Sequence, residues 1–192
     1  MRKVVMLNRI SIDGFFASPN EMTGGMDWFV PDPEVDKAVH GLGSAPADTL
    51  LLGAKTFIMF QHSWLPMLKD PNTPRELKAV AQELTNMAKV VFSHTLTNSS
   101  WENTRFVDSD LPGTVQNLKR QEGSDIMILG SGTIVQQLTN AGLIDEYVFI
   151  VSPVIAGKGK ELFKDVQQRG ISLVSSRSFA SGNVVLQYAV TA

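Results

Sequence analysis

The sequence predicts an α/β domain of three layers, α/β/α, with a mixed, mainly parallel sheet and a C-terminal antiparallel hairpin. Two observations support this prediction. Up to about residue 150, short apolar runs alternate with segments of helical periodicity, as in strands joined by crossover helices. The end of the chain differs, because residues 171–179 and 184–190 read as two strands joined by a glycine-containing turn. Helices on both faces of a parallel sheet give the three layers.

Length and composition restrict the classes of function. A chain of 192 residues with 43% hydrophobic and 19% charged residues fits one globular domain, here residues 1–192. The net charge of -2 argues against a nucleic acid or an anionic membrane as partner. There is no cysteine, and His40, His62 and His94 lack metal-ligand spacing, so no metal site is expected. Without a signal peptide or a long apolar stretch, the sequence predicts a cytoplasmic protein.

The first strand is predicted over residues 3–12, and Asp13 with Gly14 ends it. A loop rich in Gly, Pro and Asn then runs to about Met26 and carries Trp28 at its far end. Such a loop is typical of an active-site flap, although an ordinary surface loop fits equally well. Asp32 precedes a proline and is predicted to cap the first helix.

A second buried strand is predicted over residues 49–52, with Gly53 and a short helix after it. Residues 73–76, Thr-Pro-Arg-Glu, read as a capping box that opens the next helix. The predicted buried face of that helix consists of Leu77, Val80, Ala81, Leu84 and Ala88. A third strand follows over residues 90–92 and ends at Ser93.

The most informative stretch is residues 125–142, where a short apolar strand, a glycine turn and a helix follow each other. The turn is Gly130-Ser131-Gly132, and the helix begins at Thr133. Free N–H groups at a helix start, with the positive end of the helix dipole behind them, bind anions such as phosphate. A tight turn without a ligand would show the same pattern.

Three junctions of this kind are predicted to lie close together. Gly53, Ser93 and Gly130 each follow a predicted parallel strand. Ligands of such sheets bind beyond the carboxyl ends of the strands, so these residues should line one crevice. The sequence therefore favours a nucleotide-binding site.

Six segments in chain order carry a resemblance to a known family. They are Ser11-Ile12-Asp13-Gly14-Phe15-Phe16-Ala17, Met26-Asp27-Trp28-Phe29, Leu52-Gly53-Ala54-Lys55-Thr56-Phe57, Gly130-Ser131-Gly132-Thr133, Leu143-Ile144-Asp145-Glu146 and the stretch from Ser152-Pro153-Val154 to Glu161-Leu162-Phe163. In this order the segments resemble the dihydrofolate-reductase-like superfamily, in particular the reductase domain of bacterial bifunctional riboflavin-biosynthesis proteins. The resemblance covers nearly the whole chain and implies a dihydrofolate-reductase-like fold.

The resemblance implies NADPH bound across the carboxyl ends of the strands. The implied cofactor-binding residues are Arg9 and Phe16 at the nicotinamide, Gly53, Lys55, Thr56, Gly130, Ser131, Gly132 and Thr133 at the pyrophosphate, and Ser93 and His94 at the adenosine ribose. Dihydrofolate reductases usually place arginines where Ala54 stands and near His94, to pair with the extra phosphate of NADP. Their absence leaves NADH open as the cofactor.

The resemblance further implies a reductase like 5-amino-6-(5-phosphoribosylamino)uracil reductase, in which hydride opens a ribosylamine. Asp13 and Trp28 would border the substrate, unless Asp13 only shapes a turn and Trp28 is core. Asp13 and Asp32 are weak candidates for catalysis, although Asp32 already has a helix to cap. The alternatives are another NADPH reductase, acting on a pterin or other carbonyl or imine, and a nucleotide-binding protein without turnover.

We expect the protein to form a homodimer. Residues 147–151 are apolar at nearly every position, which predicts a strand covered on both faces. The resembled riboflavin reductases pair through this part of the sheet, so residues 147–154 and 171–190 are expected near a two-fold interface. A monomer in which the same strand is simply central is the alternative.

Overall fold

The fold was described from a computed structural model, in which residues 1–40, 42 and 46–191 are described. The strands are β1 (Val4–Ile10), β2 (Phe15–Ala17), β3 (Thr49–Gly53), β4 (Ala88–Phe92), β5 (Thr104–Val107), β6 (Ile126–Leu129), β7 (Glu146–Val151), β8 (Lys160–Glu161), β9 (Ile171–Ser178) and β10 (Val184–Val190). The helices are α1 (Pro33–His40), α2 (Ala54–Trp64), α3 (Arg75–Asn86), α4 (Leu111–Arg120) and α5 (Gly132–Asn140).

Within the described residues, eight strands form one sheet in the order β5-β4-β3-β6-β1-β7-β10-β9. The six strands from β5 to β7 are parallel, and β10 runs antiparallel to both β7 and β9. Strands β2 and β8 pair separately. The predicted mixed sheet with its C-terminal hairpin is therefore confirmed, and no helix in the described part of the chain is long and apolar enough to cross a membrane.

The helices cover the two faces of the sheet unevenly. Helices α4 and α5 pack on one face, where Val4 and Met6 of β1 are fully buried. On the other face, α1 packs over β1, β7 and β10, while α2 and α3 pack over β3 and β4. These two groups leave a gap above β6 and β1. Leu7 and Arg9 of β1, with Met127 and Leu129 of β6, line the gap.

Two sequence predictions about α3 are wrong. The helix begins at Arg75 and no side chain caps it, so Thr73 does not act as the cap of a capping box. Ala81 and Leu84 are buried as expected, but Leu77 and Val80 are 40% and 36% exposed. The part of the helix that carries Leu77 and Val80 faces the gap, because both side chains line it. The predicted Ala88 belongs to β4 and is also exposed.

Strand β7 lies inside the sheet rather than near its edge. It pairs with β1 on one side and with β10 on the other. Tyr147, Val148, Phe149 and Ile150 are all buried within the single chain. Covering β7 therefore requires no second copy, and the exposed part of the sheet is β9, whose eight residues are all exposed.

Candidate active site

The gap between α1 and the α2–α3 pair forms part of a long cleft, with β1 and β6 as its floor. Its volume is about 2570 Å³, well above the roughly 300–1,000 Å³ typical of a pocket for one small ligand. The cleft crosses the carboxyl ends of β1, β3, β4 and β6, the position predicted by the topology of parallel sheets. All eleven residues implied as cofactor-binding line it. The cleft is therefore larger than one small ligand requires.

Two glycine turns meet in the cleft and are tied together by side chains. The backbone N–H of Ser131 donates to Thr56 Oγ1 at 3.1 Å. The N–H of Gly53 donates to Ser131 Oγ at 3.0 Å, and that hydroxyl donates to the carbonyl of Leu129. The ends of β3 and β6 are thereby fixed against each other. Thr56 and Ser131 thus position the two turns, a role the sequence did not reveal.

The helices that follow the two turns begin without side-chain caps. For α2 the N-cap residue is Gly53, which has no side chain, and for α5 it is Ser131, whose hydroxyl makes no bond to an N–H of the helix. Helix α4 differs, because the Asp110 carboxylate accepts from the N–H of Gly113 at 3.0 Å. Uncapped N–H groups and two positive dipole ends at one place form an anion site. Lys55, exposed in the first turn of α2, adds a full positive charge.

The glycine turn is closely packed as well as open to the cleft. A Cβ at Gly132 would lie 2.6 Å from the ring of Phe16, and one at Gly130 would lie 3.1 Å from Thr56 Cγ2. Gly130 also has a φ of +57°, which favours glycine. A side chain at either position would collide with Phe16 or Thr56, so the turn requires glycine, and Gly130 and Gly132 present backbone rather than side chain to the cleft. The residues present thus fit a dinucleotide pyrophosphate.

The end of the cleft near Ser93 and His94, where the resemblance implied the adenosine ribose, carries fewer positive charges than expected for a 2′-phosphate. His94 is exposed there, while the Ser93 hydroxyl accepts from the N–H groups of Thr95 and Leu96. Asp108 and Asp110 also line this end. Lys55 is the lysine that α2 contributes to the cleft lining.

The opposite end of the cleft holds an ion pair between Arg9, which the resemblance implied as a site residue, and Asp36, which it did not. Arg9 on β1 donates through Nη2 to Asp36 Oδ1 on α1 at 2.5 Å. The guanidinium also lies 5.9 Å from the ring centre of Phe29, and its Nη1 is buried with no partner among the described residues. The helical periodicity of α1 is the sequence signal that could have revealed Asp36 as a residue of the cleft. Val35 and Val39 face the sheet, so Asp36 and His40 flank them on the side toward the cleft.

Asp13 lies outside the cleft and holds a loop in place. Its two carboxylate oxygens accept from the N–H groups of Ala156 and Gly157, at 2.9 and 2.7 Å. A hydrogen bond from Ser11, together with these two N–H groups, lowers the pKa of Asp13 to about 2. A carboxylate held ionised in this way is a poor proton donor. The alternative that Asp13 shapes a turn agrees with these contacts.

Asp32 and Trp28 are also absent from the cleft lining of the described residues. Asp32 accepts from the N–H of Glu34 at the start of α1 and from the Ser181 hydroxyl. The Ser181 hydrogen bond is the main reason why the pKa of Asp32 is lowered. Trp28 packs edge-on against Phe29, with ring centres 4.5 Å apart. These contacts place Asp32 as a helix cap and Trp28 beside Phe29, behind the Arg9 end of the cleft.

Comparison with known proteins agrees with this geometry. The model of the RibD C-terminal domain matches residues 2–185. The uncharacterized protein YyaP of Bacillus subtilis (strain 168) is 31% identical over 188 residues, which cover 97% of this chain and 94% of YyaP. The uncharacterized protein YwjB of the same organism is 24% identical over 169 residues, covering 86% of this chain and 84% of YwjB.

Solved structures with the same fold include riboflavin-biosynthesis proteins. A putative riboflavin biosynthesis protein from Shewanella sp. PV-4 superimposes with a TM-score of 0.69 at 19% identity, over 99% of both chains. A diaminohydroxyphosphoribosylaminopyrimidine deaminase/5-amino-6-(5-phosphoribosylamino)uracil reductase from Thermotoga maritima gives 0.68 at 15% identity. That match covers 99% of this chain and 57% of the larger protein. These similarities confirm the predicted fold.

Proposed function

The chain belongs to the RibD C-terminal domain family, and from this we propose that it is an NADPH-dependent reductase of small molecules. The proposed reaction delivers hydride to a carbon that is double-bonded to nitrogen or oxygen, as in the reductases of riboflavin biosynthesis. NADPH supplies the hydride when bound. The chain then has three tasks: to hold the cofactor, to align the substrate and to keep water out of the site.

The observation that carries the proposal is the meeting of two uncapped helix starts in one cleft. The first turns of α2 and α5 supply N–H groups and dipoles, and Ser131 with Thr56 keeps them together. An anion bound there requires no rearrangement of either helix. A pyrophosphate is the anion of the right size, because the cleft continues on both sides of the two turns.

The nicotinamide would lie toward Arg9, where the cleft passes between Phe16 and α1. Arg9 is held by Asp36, so its guanidinium can orient a polar group of the cofactor or the substrate. The ionised state of Asp13 and Asp32, both outside the cleft, makes them unsuitable as acids. The nitrogen or oxygen of the reduced group takes its proton from water.

A cofactor titration followed by a turnover assay tests the proposal. The protein should bind NADPH, and with carbonyl or imine substrates it should consume NADPH, measured by the loss of its absorbance. Failure to bind NADPH or NADH would contradict the proposal. Binding without oxidation for every substrate would favour the alternative, a nucleotide-binding protein without turnover.

Lys55→Ala provides the variant for this titration. Lys55 is the fixed positive charge beside the two helix starts, so its loss should weaken NADPH binding. A charge-assisted contact is worth about 1.5–3 kcal/mol, or roughly 10- to 100-fold in affinity. Lys69→Ala, at an exposed position outside the cleft lining, is the matched control. Equal losses for NADPH and NADH would assign Lys55 to the pyrophosphate, and no loss would remove it from the site.

We also propose a homodimer that pairs through β9. Leu173 and Val174 are each 56% exposed, so this edge strand presents apolar side chains to solvent. Exposed apolar edge strands lead to association with another chain, and a second copy offers the same edge for a two-fold contact. Light scattering should give about twice the chain mass of 21.0 kDa. A mass near that of one chain would contradict the dimer.

A further inference from the structure

The end of the cleft that lies between α1, α2 and α3 is lined by apolar side chains, which the binding of a phosphate does not require. We infer that this apolar compartment, defined by Leu42, Ile58, Leu77, Val80 and Met127, receives the uncharged apolar body of the substrate. The inference rests on the proposed reductase function and specifies its substrate class. The compartment adjoins the Arg9–Asp36 end of the cleft, where the reducible group would meet the cofactor.

Three apolar side chains in the walls of the apolar compartment are exposed to solvent, and packing of the helices onto the sheet does not require them. Ile58 on α2 is 39% exposed, and Leu77 and Val80 on α3 are 40% and 36% exposed. Leu77 and Val80 are three residues apart and therefore neighbours on one side of α3. Ala81 and Leu84, which face the sheet, already anchor the helix. Three large apolar side chains thus face one concave space rather than being scattered over the surface.

The charges around the apolar compartment oppose an anionic substrate. The carboxylates of Asp36, Glu76 and Glu83 line this end of the cleft. Carboxylates also bind basic side chains here, since Arg9 Nη2 bonds to Asp36 and Lys37 bonds to Glu34 at 2.8 Å. A substrate phosphate placed here would meet these three carboxylates as well as the Arg9 guanidinium, of which only Nη2 is paired.

The compartment is also bounded at its far end. His40 Nε2 on α1 lies 3.6 Å from Glu83 Oε2 on α3, so the two helices approach each other across the cleft. Lys55, Lys160 and Lys164 also line the cleft, and Lys160 is on β8, which pairs with β2. The apolar side chains of the compartment therefore lie beside the carboxylates of Asp36, Glu76 and Glu83.

The ligand that matches this surface has an apolar ring and a C=N or C=O group, and carries no anion. In the reaction, the hydride of NADPH forms a bond to the carbon, and the π electrons move to the nitrogen or oxygen. That atom then takes a proton from water, and NADP⁺ is the oxidised product. An uncharged aryl or cyclic imine or carbonyl compound is therefore the inferred substrate class.

Two compounds separate this class from a phosphorylated one. Dihydroisoquinoline is an apolar cyclic imine, and 5-amino-6-(5-phosphoribosylamino)uracil is the phosphorylated substrate named for the Thermotoga maritima structure. With NADPH bound, kcat/KM for dihydroisoquinoline should exceed that for the phosphorylated compound at least tenfold. A preference for the phosphorylated compound would overturn the inference while leaving the reductase function intact.

Val80→Lys tests the compartment directly, because it places a charge at an exposed position of its wall. Calorimetric titration should show at least about tenfold weaker binding of dihydroisoquinoline to the protein loaded with NADP⁺, which cannot reduce it, with NADPH affinity unchanged. Ile155→Lys, at a position 77% exposed and outside the cleft lining, is the control. Unchanged dihydroisoquinoline binding in Val80→Lys would overturn the inference. If the parent protein itself does not bind NADPH, that result would instead contradict the reductase function.

Discussion

The tie between the two glycine turns makes Ser131→Ala an informative substitution. The Ser131 hydroxyl accepts from the N–H of Gly53 and donates to the carbonyl of Leu129, both at 3.0 Å. Alanine keeps the Cβ and leaves the backbone hydrogen bond to Thr56 in place. Ser131 has a φ of +54°, and this left-handed conformation would still cost the alanine variant about as much. The loss is therefore that of two hydrogen bonds.

The magnitude follows from the burial of this hydroxyl. Ser131 is 7% exposed, and each internal hydrogen bond contributes about 0.5–1.5 kcal/mol to stability. The free energy of unfolding in urea should therefore fall by about 1–3 kcal/mol. Because the two helix starts are then less well positioned, NADPH affinity should also fall by roughly fivefold, or about 1 kcal/mol.

The control for this experiment is Ser175→Ala, at an exposed serine on β9. Urea unfolding and NADPH titration would be measured for both variants and the parent. If Ser131→Ala loses no more stability than Ser175→Ala, the hydroxyl does not hold the two turns together. If it loses stability but binds NADPH as the parent does, the turns are not the cofactor site.

Three further predictions concern positions away from the glycine turns. Asp13→Asn should speed proteolysis near Gly157 without changing KM, because the loop loses the carboxylate that binds it. In the parent protein the pKa of Asp13 is about 2, below the ordinary value of 3.8. The stabilisation by Asp13 should therefore be lost only as the pH falls from about 3.8 toward 2. Burial lowers the pKa of Lys89 from 10.5 to about 8, so between these values the unfolded chain binds a proton that the folded protein lacks. The free energy of unfolding should then rise with pH across this window by up to about 3 kcal/mol, and Lys89→Met should abolish the rise. Leu173→Glu should give a monomer in light scattering, and an unchanged dimer would place the interface elsewhere.

The fold was predictable because its signals are local. The change from an apolar run to a glycine turn and then to helical periodicity lies within a few residues at Gly53 and at Gly130, and the structure has a strand and a helix at both places. The resulting parallel order brought Ser93 to the same cleft. Topological rules for α/β sheets depend only on such an alternation of elements.

The missed features depend on contacts between distant parts of the chain. The backbone N–H groups that Asp13 binds are more than 140 residues away, so its role in holding a loop has no local signal. The pattern of α3 correctly indicated an amphipathic helix, but not that a gap beside α1 would leave Leu77 and Val80 exposed. Asp36 was overlooked because its partner, Arg9, lies on another element.

A crystal structure of the protein soaked with NADPH tests the central claim most directly. The account predicts the pyrophosphate against the first turns of α2 and α5, close to Lys55 and Thr133, with the nicotinamide toward Arg9. The apolar compartment beyond Arg9 should remain accessible to a second molecule. Density for the cofactor outside the cleft, or with its pyrophosphate away from the two helix starts, would contradict the account.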